Sequence, residues 1–116
     1  MRHRKTTSKL GLETSSRKAL IRNLMTSLVL HESITTTQAK AKALKPEIEK
    51  IITKGKVNSI HTKRELAKVF YKESAINKVL EVLSPKYMTR KGGYTRIVKI
   101  GHRPGDGSKM VQIEFV

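Results

Sequence analysis

Twenty-five lysines and arginines against nine acidic residues leave this 116-residue chain at +16. A chain so charged repels itself as it compacts, so its fold must keep the cations apart or set them against a polyanion. The cations are not spread evenly. Residues 1–22 hold Arg2, Arg4, Lys5, Lys9, Arg17, Lys18 and Arg22 against Glu13 alone. Residues 86–109 hold Lys86, Arg90, Lys91, Arg96, Lys99, Arg103 and Lys109 against Asp106 alone. Between them, residues 23–85 carry eleven basic side chains and six acidic ones. Charge placed for solubility is interspersed in sign. Two dense basic zones around a more balanced middle imply an anionic partner, and at a pI near 10.5 nucleic acid is the default.

The length suits one domain. With 37% hydrophobic and 4% aromatic residues, its core is thin. The chain has no cysteine, which excludes disulfides and thiolate metal sites and agrees with a reducing cytosol. No apolar run reaches the ~18 residues of a membrane span, and no apolar signal-peptide core follows the basic N-terminus. We expect a soluble, cytoplasmic protein that is not exported.

Residues 1–12 show neither helical nor strand period and read as a basic arm, with residues 13–116 as one folded domain. After the cap candidates Thr14, Ser15 and Ser16, the rows Leu20/Leu24/Leu28 and Ile21/Met25/Val29 predict a buried helix of about four turns. Arg17, Lys18 and Arg22 in its first half oppose the helix dipole, which is easier to understand if they face an anion. Ile34 among Thr35, Thr36 and Thr37 predicts a short strand, and Thr35 to Gln38 offers a capping box for the next helix. That helix carries Leu44, Ile48, Ile51 and Ile52. Pro46 should kink or restart it, and Gly55 should stop it. Asn58 or Ser59 can cap a third helix bearing Leu66, Ala67 and Phe70. Glu73 or Ser74 starts a fourth with Ile76, Val79, Leu80 and Leu83, ended by Pro85. Tyr94 to Ile100 and Met110 to Val116 read as strands, the second alternating Val111, Ile113 and Phe115 with Gln112 and Glu114. The order is helix, strand, three or four helices, two strands. An α+β domain follows, with one small three-stranded sheet covered by helices.

The run Arg90-Lys91-Gly92-Gly93-Tyr94-Thr95-Arg96-Ile97-Val98-Lys99-Ile100 concentrates the recognition chemistry. Its glycines let a backbone approach a bulky ligand and reach positive φ. Tyr94 offers a flat face on which a base can stack. Arg90, Lys91, Arg96 and Lys99 seek phosphate. Out of context the same run is an ordinary turn leading into a basic edge strand.

No catalytic constellation can be assembled. Asp106 is the only aspartate, and Glu47 and Glu49 do not share a helix face. His3, His31, His61 and His102 lack metal-ligand spacing, and the glycines match neither phosphate-loop nor dinucleotide patterns. Three non-enzymatic readings remain: an rRNA-binding structural protein, a DNA-binding or nucleoid protein, and a basic membrane-surface protein. The membrane reading lacks a basic amphipathic helix, and the DNA reading lacks a base-reading helix. An extended arm and a strand–loop unit suit irregular RNA.

Several blocks in order resemble the bacterial large-subunit ribosomal protein L-seventeen family. They are Met1-Arg2-His3-Arg4-Lys5, Arg17-Lys18-Ala19-Leu20-Ile21-Arg22-Asn23-Leu24, His31-Glu32-Ser33-Ile34-Thr35-Thr36-Thr37 and Ala39-Lys40-Ala41-Lys42. Arg90-Lys91-Gly92-Gly93-Tyr94-Thr95-Arg96-Ile97, Arg103-x-Gly105-Asp106 and Ile113-Glu114 complete the series. The resemblance implies a small mixed sheet. It also implies a place in the large subunit near the polypeptide exit region and a neighbour of the L-thirty-two family. Large-subunit (23S) rRNA would then be bound by Arg2, His3, Arg4, Lys5, Lys9, Arg17, Lys18, Arg22, Asn23, Lys40 and Lys42. Arg90, Lys91, Gly92, Gly93, Tyr94, Arg96, Lys99 and Arg103 would complete the contact. No cofactor, metal, small-molecule substrate or membrane is implied. Leu12 and Ser16 stand where the family often has Arg and His, and Gly107-Ser108-Lys109 replaces a more apolar segment. Contacts at those positions stay open.

Overall fold

The computed structural model describes residues 10–116. The arm expected over residues 1–12 therefore lies, up to Lys9, outside the described residues. Helix α1 (Thr14–His31) is followed by β1 (Ser33–Thr37), α2 (Gln38–Gly55), α3 (Ile60–Ala67) and α4 (Glu73–Lys78). A π-type turn (Val79–Leu83), a last α-turn α5 (Ser84–Lys86), β2 (Thr95–His102) and β3 (Lys109–Phe115) complete the chain.

The sheet order is β1-β3-β2, and both pairings are antiparallel. This corrects the expected mixed sheet. The last strand enters between the other two, running against each, with Ile34 opposite Ile113 and Ile97 opposite Ile113 on its two sides. The helices pack on the side bearing Ile34, Ile97, Val111 and Ile113. Strand β3 is the sheet's spine, so its alternation is the cleanest in the chain: Val111 and Ile113 are buried between half-exposed Gln112 and Glu114.

Neither proline interrupts the helical run around it. Helix α2 runs through Pro46 to Gly55. Pro46 sits on the exposed face, while Ala41, Leu44, Ile48, Ile51 and Ile52 hold the opposite face on the core. Their burial outweighs the one ladder bond a proline removes, a cost of about 3 kcal/mol. Pro85 likewise lies within α5 and does not end the helical run. The turn before it is widened, with the Ser84 amide bonding the Val79 carbonyl. A tight α-turn there would drive the proline ring onto the carbonyl four residues back.

The expected caps also differ. Helix α1 starts at Thr14 with Glu13 at its N-cap, and α2 starts after Thr37, neither with a side-chain cap bond. Ser59 does cap α3, accepting from the Thr62 amide at 3.2 Å. At the other end of α1, Lys78 donates to the Leu30 carbonyl (3.2 Å) and lies 3.4 Å from Glu32. A cation is thus placed where the dipole favours it. Glu32 takes a left-handed φ of 64° there and turns the chain into β1.

Helix α2 does end at Gly55, as expected. This residue is buried, and a Cβ there would lie 2.3 Å from Ser84 Oγ and 2.8 Å from Val79 Cγ1. The glycine lets α2 press on the widened turn, and Ser84 Oγ donates across the gap to the Ile52 carbonyl at 3.0 Å. Alanine normally gains ~1 kcal/mol over glycine in a helix. Here overpacking should reverse that sign: we expect Gly55→Ala to lose about 1–3 kcal/mol in chemical denaturation.

Candidate nucleic-acid interface

The Arg90–Tyr94 segment is fastened to α2 residue by residue. The Tyr94 amide donates to Glu49 Oε1 at 3.0 Å. The Tyr94 hydroxyl donates to the Arg90 carbonyl at 3.2 Å and lies 3.1 Å from Thr53 Oγ1. Lys56 Nζ donates to the same carbonyl and sits 5.0 Å from the Tyr94 ring centroid. The Lys56 ammonium and the Thr53 hydroxyl hold the Tyr94 phenol below the usual tyrosine range. Arg90 closes the turn by donating from Nη1 to the Gly93 carbonyl at 3.0 Å. Gly93 has φ +64°, which only glycine adopts without strain.

Tyr94 is thus a core residue, 1% exposed. Its ring packs 5.2 Å from that of Tyr87, and Tyr87 binds the Val116 carbonyl through its hydroxyl at 2.7 Å. This corrects the expectation of a base-stacking face at Tyr94. The aromatic holds the loop, and the loop's other atoms face outward. Lys91 and Gly92 are exposed. They share an open cleft with Pro46, Glu49, Lys50, Thr53 and Lys54. Lys50 and Lys54 were not singled out from sequence. One helical turn apart on the face opposite Ile48 and Ile52, they bring two more cations beside Lys91. That opposite-face spacing was the available signal.

Strand β2 continues from this loop as a sheet edge. Arg96 is directly opposite Glu114 in the register, and its Nε donates to Glu114 Oε1 at 2.9 Å. Lys99 is exposed and forms no ion pair among the described residues. The register slips between Lys99 and Gly101, and such a bulge bends an edge strand. Beyond it, Arg103 pairs with Asp106 through Nε at 3.1 Å and through Nη2. The Ser108 amide also donates to Asp106.

The remaining candidates fall elsewhere. Arg17, Lys18, Arg22 and Asn23 lie on α1, and Lys40 and Lys42 in the first turns of α2. Arg2, His3, Arg4, Lys5 and Lys9 lie outside the described residues. Among the described residues no group of three or more His, Cys, Asp or Glu side chains could hold a metal, and no helix is long and apolar enough to cross a membrane.

The Asp106 carboxyl is held well below the usual aspartate range, first by its Arg103 bond and then by the Ser108 amide. A depressed folded-state pKa contributes order above the unfolded value near ~3.9 that is lost as pH falls through the folded one. The Arg103–Ser108 turn should therefore persist down to about pH 4 and loosen only below it. The Asp106 carboxyl resonance and the Ser108 amide, followed by NMR, check this.

The ribosomal protein L17 family model matches residues 20–116, which include all the strands and most of α1. The large ribosomal subunit protein bL17 of Gemmatimonas aurantiaca is 47% identical over 116 residues, covering 100% of this chain and 98% of the relative. That of an Exiguobacterium species is 49% identical over 114 residues, covering 94% and 97%. That of Syntrophotalea carbinolica is 45% identical, covering 100% and 75%. Likeness of this extent reaches through the α2–loop–β2 unit as well as the core, and on it the chain belongs to the ribosomal protein L17 family.

Proposed function

We propose that this protein is a structural constituent of the large ribosomal subunit in the cytoplasm that binds 23S rRNA. In this reading the interface runs from the Arg90–Gly93 loop along β2 to Arg103, with α1 and the basic arm extending it. It lies near the polypeptide exit region, beside a protein of the L-thirty-two family. The observation that carries it is a loop whose shape is fixed by half-buried bonds to α2 while Lys91 and Gly92 stay open to an outside ligand. A surface built only for solubility needs no such fastening.

Each side chain has a distinct part. Arg96 spends Nε on Glu114 and keeps its two terminal nitrogens for a phosphate, held by the strand beneath it. Lys91 acts as a mobile point charge. Gly92 and Gly93 have nothing within 4 Å of where a Cβ would stand, so RNA can approach that backbone closely.

Binding by phosphate neutralisation releases counterions. If about six to ten phosphates are met, affinity for folded 23S rRNA should fall by roughly 10³–10⁵ between about 50 and 200 mM salt. A nearly flat dependence would oppose the reading, as would equal binding to duplex DNA at matched salt. Arg96→Ala should weaken binding by about 1–3 kcal/mol, because a charged hydrogen bond is lost and Glu114 is left facing the phosphates. Lys91→Ala should cost under about 1 kcal/mol, as expected of an exposed charge. Gly93→Val removes no charge yet should weaken binding by distorting the loop. Isothermal titration of the three variants, with circular dichroism to confirm folding, checks the order.

A further inference from the structure

One partly exposed cation–aromatic unit lies apart from the β2 loop. Arg22, on α1, donates from Nε to the Val69 carbonyl at 2.9 Å. Its guanidinium carbon sits 4.2 Å from the centroid of the Tyr71 ring. The Arg22 backbone is braced as well, its carbonyl accepting from Thr26 Oγ1 at 2.9 Å. The two terminal nitrogens of Arg22 have no hydrogen-bond partner among the described residues, and no carboxylate there pairs with it. The only buried side-chain polar atom without a partner among those residues is Thr95 Oγ1. The Arg22 terminal nitrogens therefore reach the surface. Tyr71 is 53% exposed, whereas Tyr87 and Tyr94 are 4% and 1% exposed and Phe70 is 3% exposed. It is the exposed aromatic of a chain with no tryptophan.

This arrangement is more than a surface pair. Exposed arginines lose side-chain entropy when they bind. Here that cost is met in advance by the Val69 carbonyl and the Tyr71 face. The free edge of the guanidinium is the fork that matches two oxygens of a phosphate. Lys18, one turn earlier on the same face of α1, and Lys72, next to Tyr71, are both exposed and add charge around it. Glu73, the acid nearest to Tyr71 in sequence, makes no pair with Arg22.

We propose that Arg22 and Tyr71 form a nucleotide contact of their own, on elements separate from the β2 loop. The Arg22 fork takes one RNA phosphate, and the open part of the Tyr71 ring stacks an unpaired base. The assignment rests on the rRNA-binding reading above and adds a residue, Tyr71, that the sequence alone did not single out.

The test uses the full chain and folded 23S rRNA. Ultraviolet crosslinking of the wild-type complex, mapped by mass spectrometry, should place a nucleotide on Tyr71. Tyr71→Leu, which keeps an apolar side chain, should weaken binding about tenfold, within the range for one lost base–aromatic stack. Arg22→Lys keeps the charge but not the fork, and should weaken binding about as much while the slope of log affinity against log salt stays unchanged. A Tyr71→Leu variant that melts like the wild type and binds rRNA within about twofold of it would overturn the proposal (a twofold change is small beside a stacked base). If Tyr71→Leu does not fold, the wild-type crosslink decides: a nucleotide on Tyr71 supports the contact, and crosslinks confined to other residues overturn it. A wild-type chain that does not bind rRNA at all would instead remove the reading on which this one stands.

Discussion

Tyr94 is held at three points: its ring by the core, its amide by Glu49 and its hydroxyl by the Thr53–Arg90 pair. Those bonds link the amphipathic helix α2 to the start of the edge strand. Through them the basic segment inherits the rigidity of the hydrophobic core. The Val116 amide also returns to the Tyr94 carbonyl at 2.9 Å, and Tyr87 ties the Val116 carbonyl. The end of the central strand, the start of the edge strand and α2 therefore meet at one aromatic cluster. Loosening it would release the loop and the sheet together.

The same arrangement explains how a chain at +16 stays folded. The core is confined to one face of a three-stranded sheet, and its largest buried side chains are Tyr94, leucines and isoleucines. Several cations are used as structural donors. Lys56, Lys78, Arg22 and Arg90 each bond a backbone carbonyl. A carbonyl bond satisfies a donor without cancelling its charge, so Lys56, Arg22 and Arg90 brace the fold and still contribute to the field that attracts a polyanion, whereas Lys78 is also offset by Glu32. Arg96 and Arg103 are instead paired to Glu114 and Asp106, exposed links that set position more than stability.

Much of the fold was legible because it rests on period. The heptad-like rows of α1, the Ile48/Ile51/Ile52 face of α2 and the alternation in β3 mark buried faces directly. What failed was punctuation. Pro46 and Pro85 read as breaks, yet each lies inside a helical run whose tertiary packing outweighs its local preference; Gly55 does end α2, but what fixes glycine there is the packed turn beside it. The mixed sheet failed for another reason, since strand direction depends on where β3 enters and no local pattern encodes that. In the candidate interface, the sequence marked the Arg90–Lys99 run as basic but did not reveal that Tyr94 is buried. An aromatic beside two glycines looks the same whether it faces RNA or the core. Tyr71 was hidden for the converse reason, because only the fold brings it to Arg22, 49 residues earlier in the chain.

In the proposed rRNA-binding reading, the loop binds through a shape set by Tyr94, and not through charge alone. Tyr94→Phe tests this most directly, because it keeps the buried ring and every charge and removes only the hydroxyl bonds to Thr53 and Arg90. Affinity for folded 23S rRNA, measured by filter binding over a range of salt, should fall about two- to tenfold, the scale of one or two net hydrogen bonds, with an unchanged salt slope. Binding indistinguishable from the wild type at every salt concentration would contradict the claim and leave the region an ordinary basic patch.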